Sequence, residues 1–279
     1  MKKGLIVIAA IAALVWTPAL AADMAPSPSV VAPTYSWTGF YVGGNAGYAW
    51  NADPTVSFSP NDSLLATKFG PGAPISFGVS GAVGGFQLGY NWQFKPTWLV
   101  GFETDFDFSG AKGSGTSTNI VVTPGPGGLL SLPFASTANE QVKSFGTVRA
   151  RLGYLAADNI LIYGTGGFAY GRVTQSANYI NNSAVGFFDP NGGCNAGTTC
   201  YSGTSPDTAI GWTAGAGLEY ALLNHWTIRA EYLHVDLGGN TFNENVLAPG
   251  APPGKSSSFA VHFNDVAFHI VRGGLNYRF

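Results

Sequence analysis

Charge and cysteine are both scarce in this sequence. Asp, Glu, Lys and Arg make up 10% of its 279 residues and leave a net charge of −2, whereas roughly a quarter of the residues in an ordinary soluble domain are charged. So weak a charge balance gives no electrostatic basis for binding nucleic acid or a strongly acidic partner. Two cysteines are too few for a structural zinc site.

Beyond its first residues the sequence also lacks any run apolar enough to span a membrane as a helix, which excludes a helical inner-membrane protein. Residues 1–21 have the pattern of a secretory signal peptide: Lys2 and Lys3, an apolar stretch over 5–15, and Ala19-Leu20-Ala21 as a cleavage site. Residues 22–36 contain three prolines and no periodicity. We predict a Pro-rich periplasmic lead-in there and one domain over 37–279.

The two cysteines, Cys194 and Cys200, are close together in a segment rich in Gly and Thr. A signal peptide implies export to an oxidising compartment, where such a spacing favours a small disulfide loop. We therefore predict a Cys194–Cys200 disulfide.

Aromatic residues, by contrast, reach 14% of the chain, and the last eleven residues, 269–279, show how they are used. Val271, Leu275 and Tyr277 lie on one face of a strand there, while Arg272 and Arg278 lie on the other, because successive side chains of a strand point to opposite faces. An apolar outer face suits lipid, and a strand in lipid needs a closed barrel because an open edge would leave its hydrogen bonds unmade.

The same alternation recurs in eight segments: 38–50, 80–94, 98–109, 140–155, 159–174, 211–222, 226–236 and 269–279. Tight turns alternate with long connections at 51–79, 110–139, 175–210 and 237–266, which are rich in Gly, Pro, Ser and Asn. This is typical of short periplasmic turns and long external loops. The sequence thus predicts an all-β fold, an eight-stranded antiparallel up-and-down transmembrane β-barrel with four long extracellular loops. Only the segment 159–174 is apolar on both faces, so its phase stays open.

The charges of these segments share the face that points inward, except for Arg172 and Asp236, which lie at strand ends at the level of the lipid headgroups, where a charge costs little. The predicted lumen set is Glu103, Asp105, Asp107, Lys143, Arg149, Arg151, Glu219, Arg229, Glu231, Arg272 and Arg278. The acids of 98–109 should face Arg149 and Arg151, because the next segment lies beside them. Enclosed charges must be paired, so we predict a self-neutralising network that plugs the barrel. Phe145 also falls on this inward set, and Trp37 falls among aromatics predicted to form a girdle at the periplasmic end.

Particular motifs resemble a known family. Residues 37–48, Trp-Thr-Gly-Phe-Tyr-Val-Gly-Gly-Asn-Ala-Gly-Tyr, resemble the first strand of the small outer-membrane barrels of alphaproteobacteria, which include major outer-membrane proteins of Brucella and haemin-binding proteins of Bartonella. Residues 145–154, 162–167 and 230–238 are similar to later strands of these OmpA- and OmpX-like barrels. The ending Tyr277-Arg-Phe279 resembles the signal that the barrel-assembly machinery recognises during insertion.

We interpret the chain as a structural protein of the cell outer membrane, not an enzyme, with no cofactor. We expect a monomer that contacts outer-membrane lipid and lipopolysaccharide, with loops available to a host or surface ligand. Three alternatives stay open. They are a narrow porin for small polar solutes, an enzyme that modifies lipid A, and a haemin-binding surface receptor. The family resemblance prompts the last, with His234, His262 and His269 as candidate haem ligands.

Overall fold

The computed structural model describes residues 35–51, 55–61, 72–125, 128–184, 195–223, 225–246 and 258–279. These residues form thirteen strands: β1 (Gly39–Trp50), β2 (Thr55–Pro60), β3 (Gly72–Ser76), β4 (Ser80–Lys95), β5 (Trp98–Ser109), β6 (Lys112–Gly125), β7 (Gly128–Ala157), β8 (Ile160–Asn181), β9 (Thr199–Leu223), β10 (Trp226–Asp236), β11 (Asn240–Val246), β12 (Ser258–Phe263) and β13 (Ala267–Arg278). No helix in these ranges is long and apolar enough to cross a membrane. The predicted signal peptide and residues 22–34 of the lead-in lie outside the described residues.

Eight of the strands close into a ring. Their order is β1-β4-β5-β7-β8-β9-β10-β13, and β13 pairs back with β1. Every pairing in the ring is antiparallel, and the closing pair runs from Tyr41 opposite Arg278 to Trp50 opposite His269. The predicted eight-stranded antiparallel barrel is confirmed.

The wall of the ring alternates sharply between its two faces. On β5 the Phe102 side chain is 57% exposed, whereas its neighbour Glu103 is 2% exposed. The phase of β8, open in the sequence, is now fixed, since Leu161 is buried and Ile162 and Phe168 are exposed. An outer face of exposed aromatic and aliphatic side chains is the surface that hydrocarbon, not water, would cover.

The long connections are more ordered than the sequence indicated. The strands β2, β3, β6, β11 and β12 pair with each other, with the outer ends of β7 and β9, and at one position with β4. We call this assembly the outer tier. Its interior holds two apolar clusters, one of which stacks Tyr179 against Phe259 with ring centroids 5.1 Å apart. The described parts of the four predicted loops are therefore largely sheet, stacked on the membrane ring.

One buried acid of the outer tier has no compensating partner among the described residues. Glu244 on β11 is 0% exposed, and neither of its carboxylate oxygens accepts a hydrogen bond. Burial penalises the charged carboxylate, and this raises the pKa of Glu244 to about 8. Glu244 is consequently neutral in the folded outer tier at physiological pH.

This acid predicts how the outer tier responds to pH. A folded-state pKa above the unfolded value gives a stabilisation that is complete below about pH 4 and is lost as pH rises towards 8. Protection of the β11 and β12 amides from hydrogen exchange, expressed relative to the intrinsic base-catalysed rate at each pH, should therefore be lower at pH 9 than at pH 6. Glu244→Gln should remove most of that difference. Equal pH dependence in the variant and the wild type would contradict the assignment.

Candidate functional site

The described residues contain a band of charged side chains that crosses the lumen of the barrel. Ten of the eleven residues predicted for the lumen are buried there, each exposed by 5% or less: Glu103, Asp105, Asp107, Arg149, Arg151, Glu219, Arg229, Glu231, Arg272 and Arg278. They project from β5, β7, β9, β10 and β13, because in each strand the inward positions alternate with the lipid-facing ones. We call this band the ionic layer.

Two arginines organise the ionic layer. Arg149 contacts Glu103, Asp105 and Glu231, with its Nη1 3.0 Å from Glu231 Oε1 and its Nη2 2.8 Å from Asp105 Oδ2. Glu103 lies directly opposite Arg149 in the β5–β7 register. This neighbour pairing was predicted from the order of the two segments.

Arg272 reaches across the lumen from β13. Its Nη1 lies 2.7 Å from Asp107 Oδ2, and its Nη2 lies 2.5 Å from Asp105 Oδ2 and 2.7 Å from Glu231 Oε2. A guanidinium is a planar fork of donors, so it can bind several carboxylates at once without losing geometry. Arg272 thereby connects its own strand, β13, to β5 and β10, although β5 is not adjacent to either of them in the ring.

The prediction for Arg151 holds in part, since Glu103 is one of its ion-pair partners, but it is wrong about the closest one. Arg151 lies opposite Gly101 in the β5–β7 register, where there is no side chain to meet it. Its Nη2 instead lies 2.7 Å from Glu219 Oε2, while its distance to Glu103 is 3.8 Å. The guanidinium also sits 3.8 Å from the centre of the Tyr163 ring, a cation–π contact.

The prediction for Lys143 is also wrong. The β7–β8 register shifts between Val142 and Ser144, so that Val142 and Phe145 are both buried and Lys143 is exposed on the outer wall. Such a β-bulge places one extra residue in a strand and reverses the inward phase on either side of it. The inward alternation that holds for Arg149 and Arg151 therefore does not extend to Lys143.

Apolar layers cover the ionic layer on both sides. Towards the short turns, Trp37, Leu99, Leu155, Leu161 and Tyr163 form one buried cluster. Towards the outer tier lies a larger cluster that includes Phe145, whose ring is 5.5 Å from that of Phe268. This explains why Phe145 faces inward: it belongs to the layer that covers the charges.

Trp37 is a further correction. It was predicted to lie in an aromatic girdle, but it is 0% exposed within the apolar cluster near the short turns. Its indole Nε1 donates a hydrogen bond of 3.0 Å to the Asp158 carbonyl oxygen in the β7–β8 turn. The residues just before β1 thus close this mouth of the barrel.

Sequence reasoning missed the neutral polar side chains that complete the network. Tyr41 donates to Glu103 Oε2 over 2.5 Å, Tyr163 donates to Glu231 Oε1 over 3.0 Å, and Thr147 donates to Asp105 Oδ1 over 2.7 Å. All three occupy inward positions of their strands. Their alternation with exposed residues was the signal that could have found them, but an uncharged residue does not fix a phase by itself.

The three candidate haem ligands are not brought together as one set. His234 and His269 lie opposite each other on β10 and β13, with ring centroids 5.0 Å apart and Tyr232 Oη 2.7 Å from His269 Nδ1. His262 lies on β12 in the outer tier, where Thr241 Oγ1 is 2.7 Å from its Nδ1. Within the described ranges, no group of three or more His, Cys, Asp or Glu is arranged to hold a metal ion.

Only one of the two cysteines of the predicted disulfide is among the described residues. Cys200 is buried in an apolar cluster of the outer tier, whereas Cys194 lies outside the described residues. The Cys194–Cys200 bond therefore stays a prediction. The carboxy-terminal pair is described: Tyr277 and Phe279 pack edge to face at 5.4 Å, and the Phe279 amide donates to the Phe40 carbonyl.

A family model described as an outer membrane protein beta-barrel domain matches residues 7–279. The chain belongs to this outer-membrane β-barrel family. It is 37% identical over 281 residues to the 31 kDa outer-membrane immunogenic protein of Brucella melitensis, covering 98% of this chain and 99% of that protein. It is 28% identical to the 22 kDa outer membrane protein of Rhizobium leguminosarum, covering 74% and 67% respectively.

Among solved structures, the outer membrane protein OprG of Pseudomonas aeruginosa aligns with a TM-score of 0.42 and 12% identity, covering 87% of this chain and 97% of OprG. Membership of the outer-membrane β-barrel family places the chain in the outer membrane, as predicted. The short turns of such barrels face the periplasm, so the outer tier lies on the extracellular side.

The ionic layer predicts a large stability effect for a single arginine. Arg272→Leu leaves the buried carboxylates of Asp105, Asp107 and Glu231 without that partner, and breaking a buried pair costs about 3–5 kcal/mol. We expect the free energy of unfolding to fall by that amount, measured by urea titration of the barrel in lipid vesicles. The matched control is Lys95→Gln, at the exposed end of β4, which should change it by less than about 0.5 kcal/mol. Equal values for Arg272→Leu and wild type would refute the network's role.

Proposed function

We propose that this chain is a sealed structural barrel of the outer membrane that acts through its extracellular surface and not as a channel. One observation supports this most directly. The charged side chains of the lumen are almost inaccessible to a water-sized sphere: Arg149 is 0% and Arg272 is 1% exposed. A water-filled pore would leave the charges that line it exposed, because the accessible surface includes the walls of internal channels.

The order of the lumen layers supports the same proposal. The ionic layer is covered by an apolar cluster at its periplasmic side and by another at its extracellular side. An apolar constriction excludes water and ions even where it is not fully packed. Any solute would have to disrupt all three layers in turn.

The alternatives have less support. The narrow-porin proposal needs a continuous hydrated path, which the buried ionic layer gives no basis for. The haemin-receptor proposal is left with the His234–His269 pair, which faces outward from the wall, and with a separate His262. The relatives reported above are named as outer-membrane and immunogenic proteins, not as enzymes.

The extracellular surface is the natural place for the activity of a sealed barrel. The outer tier is built from paired strands with its own buried clusters, so it presents a folded surface. The Brucella melitensis relative is named as an immunogenic protein. We propose that this chain likewise presents its outer tier to the host or to the surrounding surface.

Planar-bilayer recording tests the sealed barrel. We expect no stepwise current from the refolded wild-type protein, checked for folding by its altered gel mobility before boiling. Arg272→Leu should also stay silent, because both apolar layers are intact in that variant. An open porin in the same bilayer is the positive control. Reproducible conductance steps from the wild-type protein would refute the proposal in favour of the narrow porin.

A further inference from the structure

The cations that the lumen does not use are gathered in one place. Nine Lys and Arg residues fall within the described ranges, and five of them are the arginines of the ionic layer. Lys95 lies at a periplasmic turn. The other three, Lys112, Lys143 and Arg172, are all exposed on the outer wall, on the successive strands β6, β7 and β8. We call these three residues the basic patch.

The β-bulge brings the basic patch together. At the bulge, Lys143 is the inserted residue between Val142, which lies opposite Val173, and Ser144, which lies opposite Arg172. Lys143 and Arg172 are both exposed. Lys112 pairs with Gln141, two residues before Lys143 on the same face. Diagonal neighbours across a strand pair are about 7–8 Å apart, within reach of long side chains. The bulge therefore has a consequence for the surface: it turns Lys143 away from the lumen and beside Arg172.

No described carboxylate neutralises the basic patch. Every ion pair within 4.0 Å in the described residues involves Arg149, Arg151, Arg229 or Arg272, all in the lumen. Four of the five buried arginines are each paired with at least two carboxylates, while the exposed cations have no ion-pair partner among the described residues. Three unpaired like charges on adjacent strands repel one another, so a ligand of opposite charge would stabilise them.

The position of the basic patch along the barrel axis indicates which class of ligand it would bind. Phe108 is 61% exposed and pairs with Ser144, the residue next to Lys143. On β8 the outward positions run from Phe168 and Tyr170 to Arg172 and then to hydroxyl residues. The cations thus begin where the aromatic girdle ends, which is the level of the lipid headgroups on the extracellular side.

A polar groove continues outward from the basic patch. It has a volume of about 540 Å³, and Glu140 is among its lining residues. The Glu140 side chain is buried, and its carboxylate accepts a hydrogen bond from Gln175. The other lining residues are Lys112, Gly113, Ser114, Asn139, Gln141, Thr174 and Ser176. These hydroxyl and amide groups are the usual partners of sugar hydroxyls.

From the patch and the groove together, we propose that this side of the barrel binds the phosphorylated sugar headgroup of a glycolipid in the outer leaflet. The basic patch would pair with the phosphate groups, and the polar groove would hydrogen-bond the sugar. The acyl chains would lie against the apolar wall below, over Phe108 and Phe168. The barrel would then carry a specific lipid site on one side of its circumference.

Native mass spectrometry of the refolded full-length mature protein tests the site. The probe is bis-phosphorylated lipid A, compared with the same lipid after removal of both phosphates. We expect the wild-type protein to bind the phosphorylated lipid at least about tenfold more tightly, since each cation near an anionic lipid surface adds to affinity. The triple variant Lys112→Gln, Lys143→Gln, Arg172→Gln should lose that preference.

Three controls make the result decisive. Lys95→Gln removes one positive charge far from the site and should bind as wild type does. Lys143→Arg keeps the charge and should retain binding, while Lys143→Gln alone should weaken it, so the test does not depend on the triple variant folding. Folding of each variant is checked by gel mobility before boiling. Equal affinity for the two lipids, unchanged binding by Lys143→Gln, or displacement of the lipid by an equal concentration of inorganic phosphate would overturn the proposal.

Discussion

A charge is tolerated inside this barrel and costs free energy on its outer wall. An Arg or Lys facing the bilayer midplane costs about 2–4 kcal/mol, while a charge in the lumen can be paired by a strand on the far side. Glu103, Arg149 and Arg272 are paired in this way, since each contacts partners on more than one strand. A slip of one residue in any of these strands would exchange its two faces and move ionised groups into lipid. The ionic layer is therefore what fixes the register of the ring.

The same constraint accounts for the burial of the ionic layer. Desolvating an ion costs several kcal/mol, so buried ion pairs persist only where geometry and additional hydrogen bonds compensate. Tyr41, Thr147 and Tyr163 supply such hydrogen bonds here. The apolar clusters above and below then exclude the water that would otherwise compete for these contacts. Ion pairing and burial in the lumen thus support each other.

The sequence predicted what depends on strict alternation and missed what depends on a break in it. Glu103, Asp105 and Asp107 were placed correctly because the alternation of β5 is regular over its whole length. Lys143 was misplaced because a bulge leaves no mark in composition. The outer tier was overlooked because long polar connections suggest loops, although the β-favouring run Ile120-Val121-Val122 of β6 was a signal for a strand. The Arg151–Glu219 contact was out of reach because it depends on how the closed ring staggers its strands.

The polarity of the side chains on the outer face changes along the barrel axis, in a way that the lumen does not share. Along β8 it passes from Ile162 and Phe168 to Arg172 and then to Thr174 and Ser176, matching hydrocarbon, headgroup and water in turn. On the opposite side of the ring, β10 and β13 present the pair His234 and His269 at their outer ends, where β7 and β8 present Lys143 and Arg172. A lysine and an arginine on one side and two histidines on the other make the circumference chemically unequal. Anionic headgroups therefore meet a more strongly positive surface at β6–β8 than at β10–β13, and this asymmetry follows from a single inserted residue in β7.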